Sequence, residues 1–370
     1  MTKKLTIITM VFVLLLSMTI TAYAKDSSTK YHLGKVVSIK EDKSQATVMA
    51  GADYNLIKTY RAKVLFLDGP HKGETVNAIA YEQSFKGYTI KYKVGEKVIV
   101  TEDLDNTENR FTVSDHYRIG WTCFLLIFFV IGILIIGKKS GIKSLLSMVI
   151  SVITVVLLIF AIVKGYDPII TALILVLFNT VLTIFIVAGI TKKAVSSILG
   201  TLFGILVAFV LSWVIGKFAY LSGLSDEQAM MLQTIQGLKV SPQGLLYAGI
   251  IIGALGAVMD IAISIASSVE EIYKANPDIG IIKLYGSGMQ VGKDILGTMT
   301  NTLVLAYLSS SLPMFMLIYI NHSSLPMIYN MDFMVTEFVR ILAGSIGLLF
   351  TIPFTCAIAS YLTRKEWFNE

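Results

Sequence analysis

The sequence predicts a polytopic α-helical membrane protein: a signal peptide, an N-terminal extracytoplasmic small β-barrel or OB-like domain, and seven transmembrane helices. Three observations carry this fold class. The 370 residues are 55% hydrophobic and only 15% charged, with a mean hydropathy of +0.71, which is the balance of a chain that puts most of its length in lipid. Residues 118–363 break into apolar segments of membrane-crossing length. Residues 30–114 instead alternate polar and apolar side chains in short runs between turn signals, as half-buried strands do.

Residues 1–24 read as a signal peptide. Lys3 and Lys4 charge its start, Leu5 to Ile20 form a short apolar core, and Ala22-Tyr23-Ala24 has the small-x-small pattern of a cleavage site. Residues 25–117 then form the extracytoplasmic β-rich domain. Its strand-like runs include Lys35-Val36-Val37-Ser38-Ile39, Ala62 to Leu67, Tyr88 to Tyr92 and Lys97 to Val100. Asp68-Gly69-Pro70, Lys86-Gly87 and Val94-Gly95-Glu96 supply the turns. A domain of this size can close a modest core without disulfides.

The spans are expected at about 119–137, 144–163, 169–190, 194–215, 244–268, 295–320 and 334–361, each suited to ~30 Å of hydrocarbon. The tail is 364–370. With the β-domain outside, the cytoplasmic connections hold Lys138, Lys139, Lys143, Lys192, Lys193, Lys274, Lys283, Lys293, Arg364 and Lys365, and the external ones only Lys164, Lys217 and Lys239. This bias places the N-terminal domain extracellular and the C-terminus cytoplasmic in a cell membrane, in agreement with the signal peptide. Between spans four and five, Ser225-Asp226-Glu227-Gln228 reads as a capping box opening a short amphipathic helix. Between spans five and six, the helix is expected to stop before Asn276-Pro277. A connection then runs through a Gly-Ser-Gly turn at 286–288, as an interfacial or re-entrant segment.

The net charge of +6 does not point to nucleic acid, because the cations belong to the soluble domain and the membrane edges. Cys123 and Cys356 lie far apart in apolar segments and form neither a metal nor a disulfide pattern. His32, His71, His116 and His322 lie outside the spans without metalloprotease spacing. No cofactor or metal is expected.

The polar residues inside the spans are concentrated in the last three. In the fifth, Asp260, Ser264, Ser267 and Glu271 fall at spacings of four, three and four, which is one face of a helix, and Gly249, Gly253 and Gly256 extend it. An ionised Asp in hydrocarbon costs at least ~2.5 kcal/mol, so Asp260 is expected to face protein or water. In the sixth, Asp294, Thr298 and Asn301 share a face. In the seventh, Glu337 and Arg340 stand at i,i+3 and can pair. Packed together, these helices could line one polar interior; the plain alternative is a packing seam with one structural Asp, closed at a helix end by an interfacial Glu337–Arg340 pair. Asn179 in the third span reads as a helix–helix hydrogen bond, and Gly200-x-x-x-Gly204 in the fourth as a close-packing signal.

The runs GALGAVMDIAISIASSVEEI and VGKDILGTMTNTLVLAYLSSSLP, followed by a helix with Arg340, Gly344, Gly347 and Pro353, resemble the YibE/F-like membrane protein family. The likeness covers nearly the whole chain, without departure at Asp260, Ser264, Ser267, Asp294, Gly297, Thr298 or Asn301. It implies a multi-pass membrane architecture and assigns no reaction. Gly256-x-x-x-Asp260, a polar linker and a Thr-rich helix ending in Leu312-Pro313 are also similar in outline to proton-coupled permeases of the resistance-nodulation-division and SecD/SecF type, whose central helix takes up protons on Asp.

The expected function is therefore a transporter or permease component, with Asp260 as a proton- or ion-coupling carboxylate and an unidentified substrate or ion. Its partners would be the lipid bilayer and a membrane protein or a second copy of the chain. The alternative is a structural or regulatory membrane subunit that binds partners through the β-domain. An enzyme is not expected. Asp260 and Asp294 could suggest an aspartyl dyad, but Val291-Gly292-Lys293-Asp294 lacks the Gly-x-Gly-Asp pattern of such proteases, and Asp294 is expected at the membrane edge, away from the depth of Asp260. Ser287 to Asp294 likewise lacks the leading Gly and following Ser/Thr of a phosphate loop.

Overall fold

The computed structural model describes residues 29–42, 47–48, 56–85, 88–104, 110–235, 237–321 and 324–364. The signal peptide expected at 1–24, His322 and most of the 364–370 tail lie outside the described residues. The chain divides into two compact units, Met1–Gly132 and Ile133–Glu370.

The first unit is built on strands β1 (Thr29–Glu41), β2 (Thr47–Val48), β3 (Leu56–Phe66), β4 (Thr75–Phe85), β5 (Tyr88–Ile90), β6 (Lys97–Asp103) and β7 (Phe111–His116). They run in the order β2-β3-β1-β6-β7-β4-β5, and β3 also pairs with β4. That last pairing closes five long strands into a barrel. The one parallel contact is β4 with β7, where Ile79 stands opposite Thr112. This is the Greek-key order of an OB-type barrel. The alternation seen in the sequence decides what lies inside: Val36, Val64, Phe66, Ala80, Val98, Val100 and Val113 are buried. Gly34 has no side chain because a Cβ there would stand 2.3 Å from Val64 Cγ1.

The helices are α1 (Ile119–Val163), α2 (Pro168–Ala188), α3 (Lys192–Phe218), α4 (Glu227–Thr234), α5 (Pro242–Ala275), α6 (Ile281–Ser310), α7 (Leu312–Ile320), α8 (Leu325–Asn330) and α9 (Asp332–Arg364). Among the described residues five helices are long and apolar enough to cross a membrane, or six if the bent pair α6–α7 counts as one span. The first two expected spans lie in α1, which is broken at Lys138 (φ 46°, ψ −119°). Beyond the break, a Cβ on Gly141 would stand 2.4 Å from the Ile133 carbonyl oxygen. Eight residues of straight helix would separate the two by about 12 Å, so the chain bends sharply here. Start signals act as read elsewhere. Asp167 accepts from the Ile169 and Ile170 amides at α2, and Ser241 caps α5 just ahead of Pro242.

Three expectations are corrected. First, α6 starts at Ile281, so the connection after α5 is only Asn276–Gly280 and the Gly286-Ser287-Gly288 turn does not form. Gly288 is helical and is needed for packing, since its Cβ would meet Val269 Cγ2 at 2.7 Å and Cys356 Sγ at 3.1 Å. Second, the span expected at 295–320 breaks at Ser311, where α6 and α7 meet at 62°. Pro313 in the first turn of α7 supplies no amide for a continuous helix. Third, α4 begins one residue later than the capping box implied: Asp226 is the N-cap and makes no side-chain cap bond.

α5 forms the centre of the second unit, with Ile251, Val258, Ile261 and Ile265 fully buried. α3 and α9 approach almost backbone to backbone. Cβ atoms on Gly200 and Gly204 would stand 1.9 Å and 1.8 Å from the Thr355 and Thr351 hydroxyl oxygens, and the Gly204 one 2.9 Å from the Gly347 carbonyl oxygen. The Gly-x-x-x-Gly signal is thus a packing device. Asn179 Oδ1 accepts from Ser151 and Thr154 hydroxyls, both at 3.3 Å, as a helix–helix link. We predict that Gly204→Ala destabilises the helical unit by about 1–3 kcal/mol, the usual cost of overpacking. Gly256→Ala, where a Cβ meets nothing within 4 Å, should leave it unchanged; thermal melting of the two purified variants decides.

Candidate functional site

The polar stripe of α5 exists as one face and is open. Gly249, Gly253, Gly256, Asp260, Ser264 and Glu271 are exposed and Ser267 is half-buried, while the opposite face holds the core. Asp260 makes no hydrogen bond or ion pair with any described residue. Glu271 belongs to a different environment at the end of the helix. Its carboxylate is 2.9 Å from Lys274 Nζ, which is also 2.9 Å from Glu270, and Glu270 reaches Lys193 of α3 at 3.4 Å. This small charge network ties the ends of α3 and α5 together, and Glu270, its hub, was not singled out in the sequence.

α6 carries the second polar face, and Asp294, Gly297, Thr298, Asn301 and Thr302 are all exposed. Asp294 Oδ1 accepts from Gln290 at 3.2 Å, and the hydroxyls of Thr298 and Thr302 donate back to their own helix at Ile295 O and Thr298 O. Three close approaches fix the register of α6 on α5. Gly253 stands against the Tyr307 hydroxyl, Ile265 against Gly292, and Val269 against Gly288. The two helices therefore run antiparallel, with Asp260 at the level of Thr298 and Ser264 at the level of Asp294. Asp294 thus lies about one helical turn, ~6 Å, from the level of Asp260, well inside α6 and not at a helix edge. The sequence could not show this because it misplaced the start of α6.

Glu337 and Arg340 form a separate centre. They pair at 2.7 Å, with side chains 4% and 20% exposed. The Arg340 guanidinium lies 5.9 Å from the centroid of the Tyr307 ring, and the Tyr307 hydroxyl fills the notch left by Gly253. Glu337 Oε2 and Thr336 Oγ1 are buried with no partner among the described residues. Beside this centre, the Ser222 amide and hydroxyl bind the Asp332 carboxylate at the start of α9. The chain thus does not enclose Asp260, Asp294, Asn301, Glu337 and Arg340 in one interior: the first three face outward and the last two are packed in. Tyr307 links the Gly253 end of the α5 stripe to Arg340. An apolar-flanked Tyr carries no such signal in sequence.

The barrel holds one more charged cluster, also unseen in the sequence. Glu102 is 2% exposed because it continues the inward register of Val98 and Val100. It takes His32 Nε2 at 2.9 Å, and Arg110 Nε and Nη2 at 3.0 and 2.6 Å. His71 Nε2 stands 3.7 Å away. Gly69, at φ +72°, leaves room for the His32 ring. No group of three or more His, Cys, Asp or Glu among the described residues is placed to hold a metal ion.

A family model described as YibE/F-like protein matches residues 125–365. No curated protein and no solved structure matches the chain.

The Glu102 cluster makes the barrel acid-sensitive. Burial alone would push the Glu102 carboxyl up, but the hydrogen bonds from His32 and Arg110 and the charge of Arg110 outweigh it and hold it below the usual carboxylate range. A carboxyl lowered in the folded state stabilises it above the unfolded value of ~4.3, and this stability is lost as pH falls through the lower folded value. Calorimetry of the solubilised protein should show the barrel transition falling as pH drops below about 4. Glu102→Gln should lower it at neutral pH by roughly 2–3 kcal/mol, the worth of hydrogen bonds to a charged group, and flatten the acid limb.

Proposed function

The chain belongs to the YibE/F-like family, and within it we propose a non-enzymatic transporter or permease component of the cell membrane, with Asp260 as its proton- or ion-coupling carboxylate. The observation that carries this reading is the position of Asp260. It stands well inside a membrane-length helix, on an open face of small residues, with no partner among the described residues. A structural carboxylate in lipid is paired or packed, as Glu337 is; an unpaired one on an open face suits contact with water or a moving ion. Ser264 beside it, and Thr298 and Asp294 at neighbouring levels of α6, extend a polar track along the helix pair. Glu271 and Asn301 lie at the ends of that track. Glu337, Arg340 and Tyr307 form a packed ion pair next to it, able to couple the track to the start of α9.

The topology is seven spans, with the barrel outside and the C-terminus inside. The break at Lys138 divides α1 into stretches of roughly 28 and 37 Å at 1.5 Å per residue, each enough for the ~30 Å of hydrocarbon. The bent pair α6–α7 supplies the sixth span and α9 the seventh. The surplus of Lys and Arg on the inner connections supports this direction. A second reading, a structural or regulatory subunit that docks partners through the barrel, draws on the OB order, whose open faces commonly bind ligands.

Purified protein in liposomes loaded with a pH dye, under an imposed membrane potential, tests the proposal. Wild type should conduct protons, and Asp260→Asn, equally folded and reconstituted, should lose at least about tenfold of that flux, equivalent to ~1.4 kcal/mol. Equal flux in the two proteins, or none above empty liposomes, would move the role of the polar track to structure or partner binding.

A further inference from the structure

Within the first unit, the end of the barrel and the first turns of α1 form a cleft of about 800 Å³, lined among others by Lys97, His116, Arg118, Trp121 and Phe124. The sequence sets its two walls. β6 and β7 bring cations to one side, and the first apolar helix brings aromatic rings to the other. Trp121 and Phe124 are 79% and 62% exposed and meet edge to face at 6.2 Å between centroids. A Trp in the first turn of a membrane helix belongs at the boundary between headgroups and acyl chains.

The cations facing them are not used up. Arg118 gives Nη1 to Asp115 at 2.6 Å; its other donors bind no described residue, and its side chain is 64% exposed. Lys97 holds its ammonium 5.9 Å from the Tyr117 ring centroid and pairs with no described carboxylate. The carboxylate of the cleft, Glu96, is already engaged by the Lys93 amide at 3.0 Å and faces His116 at 3.5 Å. The cleft is therefore cationic on one wall and apolar on the other, at the depth of a lipid headgroup. It also lies on the side of the membrane where this chain carries few other cations in its connections, so these two are not explained by the charge bias that orients the spans.

We propose that this cleft binds an anionic phospholipid, with Arg118 and Lys97 on the phosphodiester and Trp121 and Phe124 along the upper acyl chains. The inference rests on the barrel lying outside and α1 entering the membrane, and is independent of Asp260.

The test uses the full-length protein, equilibrated in detergent with equal phosphatidylglycerol and phosphatidylcholine and measured by native mass spectrometry. Wild type should retain phosphatidylglycerol preferentially. Lys97→Gln with Arg118→Gln, with melting behaviour as wild type, should lose about tenfold or more of that preference, in keeping with two cations near an anionic surface. Trp121→Ala should weaken retention of both lipids, and Lys63→Gln on the outer face of the barrel should change nothing. Equal retention of the two lipids by wild type, or an unchanged preference in the double variant, would overturn the proposal. So would displacement by water-soluble glycerophosphoglycerol at the same concentration as lipid, since that would make the cleft a site for a soluble phosphodiester. Failure here leaves the proton-flux result on Asp260 untouched, so the two readings fall separately.

Discussion

An ionised carboxylate in hydrocarbon is costly unless it faces protein or water, and the helical unit is arranged around one such group. α5 buries nearly every side of itself. Its Val258 and Ala262 face α3, its Ala254 faces α9 and its Ile265 faces α6. One face is left, and on it stands Asp260 among glycines and serines. Close packing elsewhere makes this possible: Gly204 against Gly347 and Thr351, and Gly288 and Gly292 against Cys356 and Ile352, let four helices share a dense core. With so little slack on the buried side, the polar residues of α5 and α6 remain outward. The α5–α6 face is polar where a lipid-facing surface would be apolar, and that mismatch is the physical reason to read it as a pathway.

The buried and the open carboxylates of the molecule behave differently. Glu337 is buried and answered by Arg340 at 2.7 Å, and Glu102 is buried and answered by His32 and Arg110. Each is a carboxylate held in one state by its partners. Asp260 has no partner among the described residues, and so its protonation is left to the surroundings. The contrast separates residues that hold the fold from one available to change charge. Tyr307 spans the gap between the two kinds, with its ring by Arg340 and its hydroxyl at Gly253.

Much of this was legible in the sequence, for reasons that are local. Pro242 after Ser241, Asn276-Pro277 at the end of α5 and the spacing of Asp260, Ser264 and Ser267 depend on neighbours within a few residues, and they came out as read. The alternation in the barrel was visible too. What was not legible depends on contacts between distant segments. Gly286-Ser287-Gly288 has turn composition, yet Val269 and Cys356 turn it into a tightly packed helix. That lengthens α6 at its start and brings Asp294 to within a turn of the level of Asp260. Glu102 sits on the inward register of β6, but its partners His32, His71 and Arg110 come from other strands and loops. Only the strand pairing, with His32 opposite Val100, brings them together.

The most direct measurement is whether water reaches the open face of α5 and α6. In a chain with Cys123 and Cys356 replaced by Ala and held in native membranes, single Cys residues would be placed by Ser264→Cys, Thr298→Cys and Leu342→Cys. Leu342 is 57% exposed on α9 and apolar. An aqueous track predicts that a charged thiol reagent modifies the first two and spares the third. Protection of both Ser264→Cys and Thr298→Cys, to the level of Leu342→Cys, would contradict it and leave Asp260 without the aqueous contact on which its coupling role depends.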